Sequence, residues 1–268
     1  MFPLFEKELP KTARGLSHAL TASLQRAVQV GGDFVSIREN VYPDLAEIAI
    51  DLSGGKVRMN APRPSLPTDQ GEPAITARHF VLKAQPLSVS DASLNLAIVA
   101  NGIVLHKSSD DAGNLFLHLQ RADNGQIVVA IRKRDLEMLI DQMAKVQAGK
   151  QGVAIEQVEL NLTSRGSRSL GAEVRLQARK LFIRTTIRIA GVLEIDDQFV
   201  AHISDLACSG DGAIGALACG VLTPHLQGLQ NRSFPLLALP LGELKLRGIN
   251  LYVADGIEVS AEFGASPV

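Results

Sequence analysis

The chain has no tryptophan, two tyrosines and nine phenylalanines among its 268 residues. Proteins that stack bases or sugars need aromatic faces, so this scarcity argues against a single-stranded nucleic-acid or carbohydrate platform. Charge of one sign is also missing: 27 Lys and Arg against 28 Asp and Glu leave a net charge of −1. A nucleic-acid partner is therefore not expected, since it calls for a basic excess. No run approaches the roughly 18 uninterrupted apolar residues of a spanning helix. The opening "MFPLFEKELPK" has too short an apolar stretch, followed at once by acids, to read as a secretory signal. A cytoplasmic location is the expectation, or a periplasmic one if a leader has been removed. Two cysteines, Cys208 and Cys219, are too few for a disulfide framework. They read as buried free thiols of a reducing compartment, with a disulfide as the alternative.

What the chain has instead is aliphatic bulk, in a composition that is 46% hydrophobic. Leu, Ile, Val and Ala make a wall suited to an alkyl chain and equally suited to an ordinary core. Three segments carry helical spacing. A helix is expected over residues 12–30, with Leu16, Leu20, Leu24, Ala27 and Val28 on one stripe behind a Thr12 N-cap. A second, "RDLEMLIDQMAKVQAGK", sets Leu136, Leu139, Ile140 and Met143 on one face, with Asp135 as its cap and Gly149 at its end. The third, "GAIGALACGVLTPHLQGLQ", carries Ile214, Leu217, Ala218, Val221 and Leu222, and Pro224 is expected to interrupt it, with a restart at Thr223-Pro224.

The remainder reads as strands joined by short turns, without the regular βαβ alternation of a parallel sheet. Residues 45–59 hold a turn at Ser53-Gly54-Gly55. Residues 94–120 form a hairpin turning around 110–114, with Ile103, Leu105, Leu115 and Leu117 inward and His106 and His118 on an outer, solvated face. Residues 58–73 are a Pro-rich loop. From Glu173 to Ile195 only Gly191 signals a turn, so the 23 residues read as one strand of roughly 75 Å. Its apolar parity changes from even (Val174, Leu176, Ala178) to odd (Leu181, Ile183, Ile187, Ile189), which a bulge near Arg179-Lys180 would explain.

Motifs for chemistry are weak. "GDGAIG", Gly210 to Gly215, matches a dinucleotide fingerprint in form, yet the next acid is Glu243 and no parallel βα units surround it. A tight strand-to-helix turn, whose small residues let the helix pack closely, is the plainer reading. "HISD", His202 to Asp205, holds triad residue types without a G-x-S-x-G elbow. His106 and His118 lack a third ligand, and no zinc spacing completes Cys208 and Cys219. "RKR", Arg132 to Arg134, opens the second helix where cations oppose the macrodipole, a solvated start or a site for an anionic partner such as a lipid head group. No metal, no cofactor and no enzymatic activity are expected.

From Arg134 onward the order of features is familiar: "RDLEMLI", then "VAIEQVELNL", then "VRLQARKLFIRTTIRIAGVLEIDDQFVAHISDLACSG", the small-residue helix "GAIGALACGVLTPHLQGL", and finally "FPLLALPLGELKLRGINLYVADGIEVSAEF". This order resembles the tubular lipid-binding (TULIP) superfamily, in particular its bacterial LmeA-like members. The resemblance implies an α+β fold in which a long, highly curved antiparallel sheet wraps one or two helices into a tube. It implies a single elongated domain over 1–268, with the N-terminal helix packed on it, and an aliphatic groove that binds or transfers acyl chains without chemistry. Lumen candidates are then Leu181, Ile183, Ile187, Ile189, Ile214, Leu217, Val221, Phe234, Leu236, Leu237, Leu239 and Leu241, with Pro235 and Pro240 bracketing an edge segment. The implied partners are a phospholipid or fatty acid, and a transient contact with a membrane surface. Ten to twelve buried methylenes at about 0.8 kcal/mol each would contribute roughly 8–10 kcal/mol before entropy costs. The rivals are a structural or interaction module with a self-filled core, and a hydrolase whose triad converges from distant segments.

Overall fold

The computed structural model describes residues 2–60, 71–150, 152–180, 182–230, 232–236 and 245–265. The fold is α+β, dominated by sheet, with three helices among the described residues. By backbone proximity the chain divides into two compact units, where the sequence reading has one domain. The first comprises residues 1–129, 240–248 and 260–268, and the second 130–239 and 249–259.

The first unit opens with β1 (Phe2–Pro3) and α1 (Ala13–Ala27). Thr12 caps α1 as expected, its Oγ1 accepting from the Gly15 amide at 3.1 Å. The helix ends before Val28, which leaves the expected stripe to pair with Val57 as β2 (Val28–Gln29) meets β5 (Lys56–Val57). β3 (Val35–Val41) and β4 (Asp44–Asp51) form a hairpin, and the expected turn at Ser53 to Gly55 follows. β6 (Glu72–Val89) and β7 (Ala92–Ser109) are 18 residues each and pair along their length. Of the Pro-rich segment 58–73, residues 61–70 lie outside the described residues, while Glu72 and Pro73 open β6. β8 (Leu115–Arg121) returns from β7 after the turn at 110–114. β9 (Asn124–Arg132), β15 (Lys245–Val253) and β16 (Gly256–Gly264), whose residues the division shares between the two units, belong to a sheet in the order β15-β16-β9-β7-β6-β4-β3. Pairing is not antiparallel throughout, since β4 and β5 both run parallel to β6.

One position in β7 requires glycine: at Gly102 φ is +59° and a Cβ would overlap the Asp123 carboxylate. Beyond it the register with β8 shifts by one residue between Val104 and Leu105. The core joins Leu16 and Leu20 of α1 to Leu45, Ile48 and Ile50 of β4, Ile75 of β6 and Leu117 of β8. The outer face expected for β8 is not solvated: Phe116 and Ser108 are buried there too.

The second unit holds α2 (Lys133–Gly149) and a five-stranded antiparallel sheet. The sheet runs β10 (Ala154–Gly166), β11 (Ser169–Lys180), β12 (Ile183–Ile195), β13 (Val200–Gly210) and β14 (Ser233–Pro235), and α3 (Gly212–Gln230) lies between the last two in sequence. The expected single strand over 173–195 is a hairpin instead. Lys180 pairs with Ile183, so even positions of β11 face odd positions of β12: Val174 meets Ile189 and Leu176 meets Ile187. The parity change is the register of this tight connection and not a bulge. The connection has no Gly, Asn or Pro, which is why its residues read as strand. A true bulge sits on β10, where Ile155 pairs with Ala178 and Gln157 with Gln177, leaving Glu156 as the extra residue.

Candidate functional site

α3 is positioned by a contact of glycines. The Asp211 amide donates to Thr186 O at 2.9 Å, and Thr185 Oγ1 donates to Asp211 O at 2.7 Å, so the chain turns off β13 against β12. There the backbones of Gly210 and Gly215 touch: a Cβ on Gly215 would lie 2.5 Å from Gly210 C and 2.8 Å from Thr185 Oγ1. Only hydrogen fits on both residues. "GDGAIG" therefore seats a helix on a sheet, and the Gly210 backbone occupies the approach to Gly215.

One helical turn beyond Gly215, Cys219 lies over Cys208. The two form a disulfide with Cα atoms 5.5 Å apart, correcting the expectation of free thiols. Nothing in an eleven-residue spacing shows that a glycine contact folds the helix back over its own strand. Pro224 does not split α3. The helix continues through it to Gln230, while Thr223 Oγ1 bonds back to Cys219 O at 2.7 Å.

This seating divides the apolar residues of α3. Ala218, Cys219 and Leu222 pack on Leu176, Ala178 and Ile187 of the sheet, joined by Ala144 and Ala148 of α2. Leu217 and Val221, four residues apart, stay 72% and 49% exposed. Of the other candidates, Ile187 is buried in that core, Ile189 packs against it, and Ile214 is half-buried. Ile183 is 56% exposed and Phe234, on the edge strand β14, is exposed too. Leu236 is half-buried, its amide donating to Phe199 O at 2.9 Å. Pro235 is the last residue of the edge strand β14, so that strand precedes the segment expected between Pro235 and Pro240. Leu181, Leu237, Leu239, Pro240 and Leu241 lie outside the described residues. The candidates thus fall into an inner group that fills the helix–sheet core and an outer group that leaves an apolar row open.

Sequence reasoning missed Phe182, whose side chain is 98% exposed beside Ile183. Read as mid-strand, it had no reason to stand out; the parity switch was the signal that the chain turns there. Its surroundings are cationic. Arg179 and Arg184 both reach the bulged Glu156, at 3.0 and 3.2 Å, and Lys180 is exposed between them in sequence.

The other motifs are accounted for locally. His202 Nε2 is 3.1 Å from Asp196 Oδ2, whereas Asp205 faces Arg165 at 4.0 Å, so the residues of "HISD" do not assemble as a triad. Asp196 is a turn residue: the Val200 amide above all, then the His202 ring and the Gln198 amide, hold its carboxyl below the usual carboxylate range. In "RKR", Arg132 Nε meets Asp135 at 3.0 Å and Lys133 meets Glu137 at 3.8 Å. Two of the three cations that looked misplaced, Arg132 before the helix and Lys133 at its start, are thus paired with acids of α2. α2 begins at Lys133, so Asp135 lies in its first turn and is not the cap. His106 and His118 are direct register partners, their ring centroids 5.8 Å apart. Among the described residues no three His, Cys, Asp or Glu side chains group so as to hold a metal ion. Likewise, no described helix is long and apolar enough to cross a membrane.

Polar depressions lie elsewhere. One of about 1070 Å³ runs beside α1 and β3, lined by Arg14, Ser17, His18, Thr21, Asp33 and Glu39 among others. Another lines the second sheet with Asn161, Thr163, Arg165, Glu173 and Arg175. Comparison with known proteins found no matching family model, no matching curated protein and no matching solved structure.

Proposed function

We propose that this protein binds lipid acyl chains without chemistry, on the apolar surface that α3 and the start of β12 present in the second unit, in the manner of a tubular lipid-binding protein. One observation carries the reading: α3 is apolar on two sides. Its inner side packs on the sheet, and its outer side keeps Leu217 and Val221 exposed. A helix on an ordinary globular unit would carry polar residues there. An alkyl chain needs no directional partner, which suits a surface of leucine, valine and isoleucine without a polar motif. The test is uptake of a fluorescent fatty acid by the intact chain. Leu217→Glu and Val221→Glu would place an unpaired charge against the alkyl chain, which is costly. Both should lose uptake while keeping the wild-type circular dichroism spectrum. Uptake unchanged in the double variant would rule out this surface.

A second reading is an interaction module with a self-filled core. It is favoured by the burial of Leu176, Ala178, Ile187 and Cys219 in direct contact, which leaves the inner candidates no room for a ligand. On that reading the row on α3 covers a protein partner, and the fluorescent acid is not taken up.

A further inference from the structure

The connection between β11 and β12 is built against the interest of its own unit. It holds Phe182 almost wholly in water and Ile183 more than half exposed. Neither supports the core that Leu176 and Ile187 make further along the same strands. Around this apolar tip stand Arg179, Lys180 and Arg184, with Glu156 the acid that reaches two of them. Three cations against one acid leave a positive surplus on a chain whose overall charge is −1. An exposed aromatic side chain with long cationic residues close to it along both strands suits a bilayer interface: the ring enters the acyl boundary, and the guanidinium and ammonium heads stay among the phosphates.

We infer that the β11–β12 tip docks on an anionic lipid bilayer, inserting Phe182 while Arg179, Lys180 and Arg184 meet head-group phosphates. Glu156 has a role in this. By holding both arginines at its carboxylate, it fixes two cations one register pair from the Lys180–Ile183 pair that closes the tip, on a bulged, sheet-anchored backbone. Along β12 the tip leads to the seat of α3: Ile183 is two residues from Thr185, whose hydroxyl donates to Asp211 O at the start of that helix. The docking thus names the donor for the acyl-binding reading and rests on that reading for its purpose, though not for its geometry.

The absence of tryptophan makes the test clean. Phe182→Trp introduces the sole indole, and Val41→Trp places one at another exposed position, on β3, as a control. Each full-length variant is mixed with vesicles of phosphatidylcholine containing 30% phosphatidylglycerol, or of phosphatidylcholine alone. The indole at 182 should shift its emission to the blue with the anionic vesicles only, and the shift should reverse at high salt. The indole at 41 should not shift. Lys180→Gln and Arg184→Gln should each weaken partitioning about fivefold. No shift at 182, equal shifts at 182 and 41, or equal shifts on neutral and anionic vesicles would each overturn the docking. Uptake of the fluorescent fatty acid in vesicle-free buffer separates the two claims. Lys180→Gln should keep it, and its failure in the wild-type chain would refute the acyl-binding reading while leaving the docking result to stand.

Discussion

Replacing Gly215 by alanine should destabilise the second unit, although alanine is the better helix former. In an exposed helical position the change would gain about 1 kcal/mol. At Gly215 the new methyl would sit 2.5 Å from Gly210 C and 2.8 Å from Thr185 Oγ1. Carbon atoms settle at about 3.5–4.0 Å, so the overlap is on the order of 1 Å, and it is against backbone that cannot rotate away. The helix must lift, and in lifting it loosens Ala218, Cys219 and Leu222 on the sheet. Overpacking of this kind costs up to about 3 kcal/mol, which leaves a net loss of about 2 kcal/mol after the propensity gain. Urea unfolding followed by circular dichroism measures it, with Gly220→Ala as the internal control. Gly220 lies on the same helix with nothing within 4 Å of its Cβ position, so that variant should be neutral or stabilised. If Gly215→Ala and Gly220→Ala unfold at the same urea concentration, the glycine contact does not seat α3, and the division of α3 into an inner and an outer face loses its basis.

Other expectations are as direct. Changing both cysteines to serine opens a link across eleven positions, and loop-closure entropy puts the loss at about 3 kcal/mol; an unchanged unfolding midpoint would show that the Cys208–Cys219 bond is not formed. Asp51 is held below the usual carboxylate range chiefly by the Ser53 hydroxyl and amide, the amide donating at 3.0 Å. A folded value below the unfolded one of about 3.9 means that ionised Asp51 stabilises the fold above that pH, and the contribution fades as pH falls through the folded value. An NMR titration of the Asp51 carboxyl should therefore show a midpoint under 3.9, and Ser53→Ala should raise it; a midpoint at or above 3.9 in the wild-type chain would contradict the bond. Gly102→Ala, which drives a methyl into Asp123 at a positive φ, should destabilise the first unit, and Asp123→Ala should partly rescue it; a neutral Gly102→Ala would show that β7 does not need glycine there.

Much of the fold was legible in local patterns. The Thr12 cap, the turns at 53–55 and 110–114, and the close-packing use of Gly210 and Gly215 all depend on a few neighbouring residues whose chemistry is specific. What was misread depends on the third dimension. "RKLFIR" turns without any residue that marks a turn, so two strands looked like one, and Phe182 vanished into a strand interior. Cys208 and Cys219 pair because α3 folds back, which no spacing rule encodes. β4 and β5 join β6 in parallel through connections that carry no regular helix pattern. Of the candidate site, apolar spacing identified the right helix but could not divide it: Leu217 and Val221 share a stripe with Ala218 and Leu222 in sequence, and only the seating of α3 separates them.

The central claim is that the second unit carries acyl chains, and native mass spectrometry of the purified full-length protein addresses it most directly. The account predicts a bound species heavier than the polypeptide by the mass of a phospholipid or fatty acid, released on organic extraction and diminished in the Leu217→Glu, Val221→Glu double variant. A bare polypeptide mass in repeated preparations, together with no uptake of added fatty acid, would contradict it.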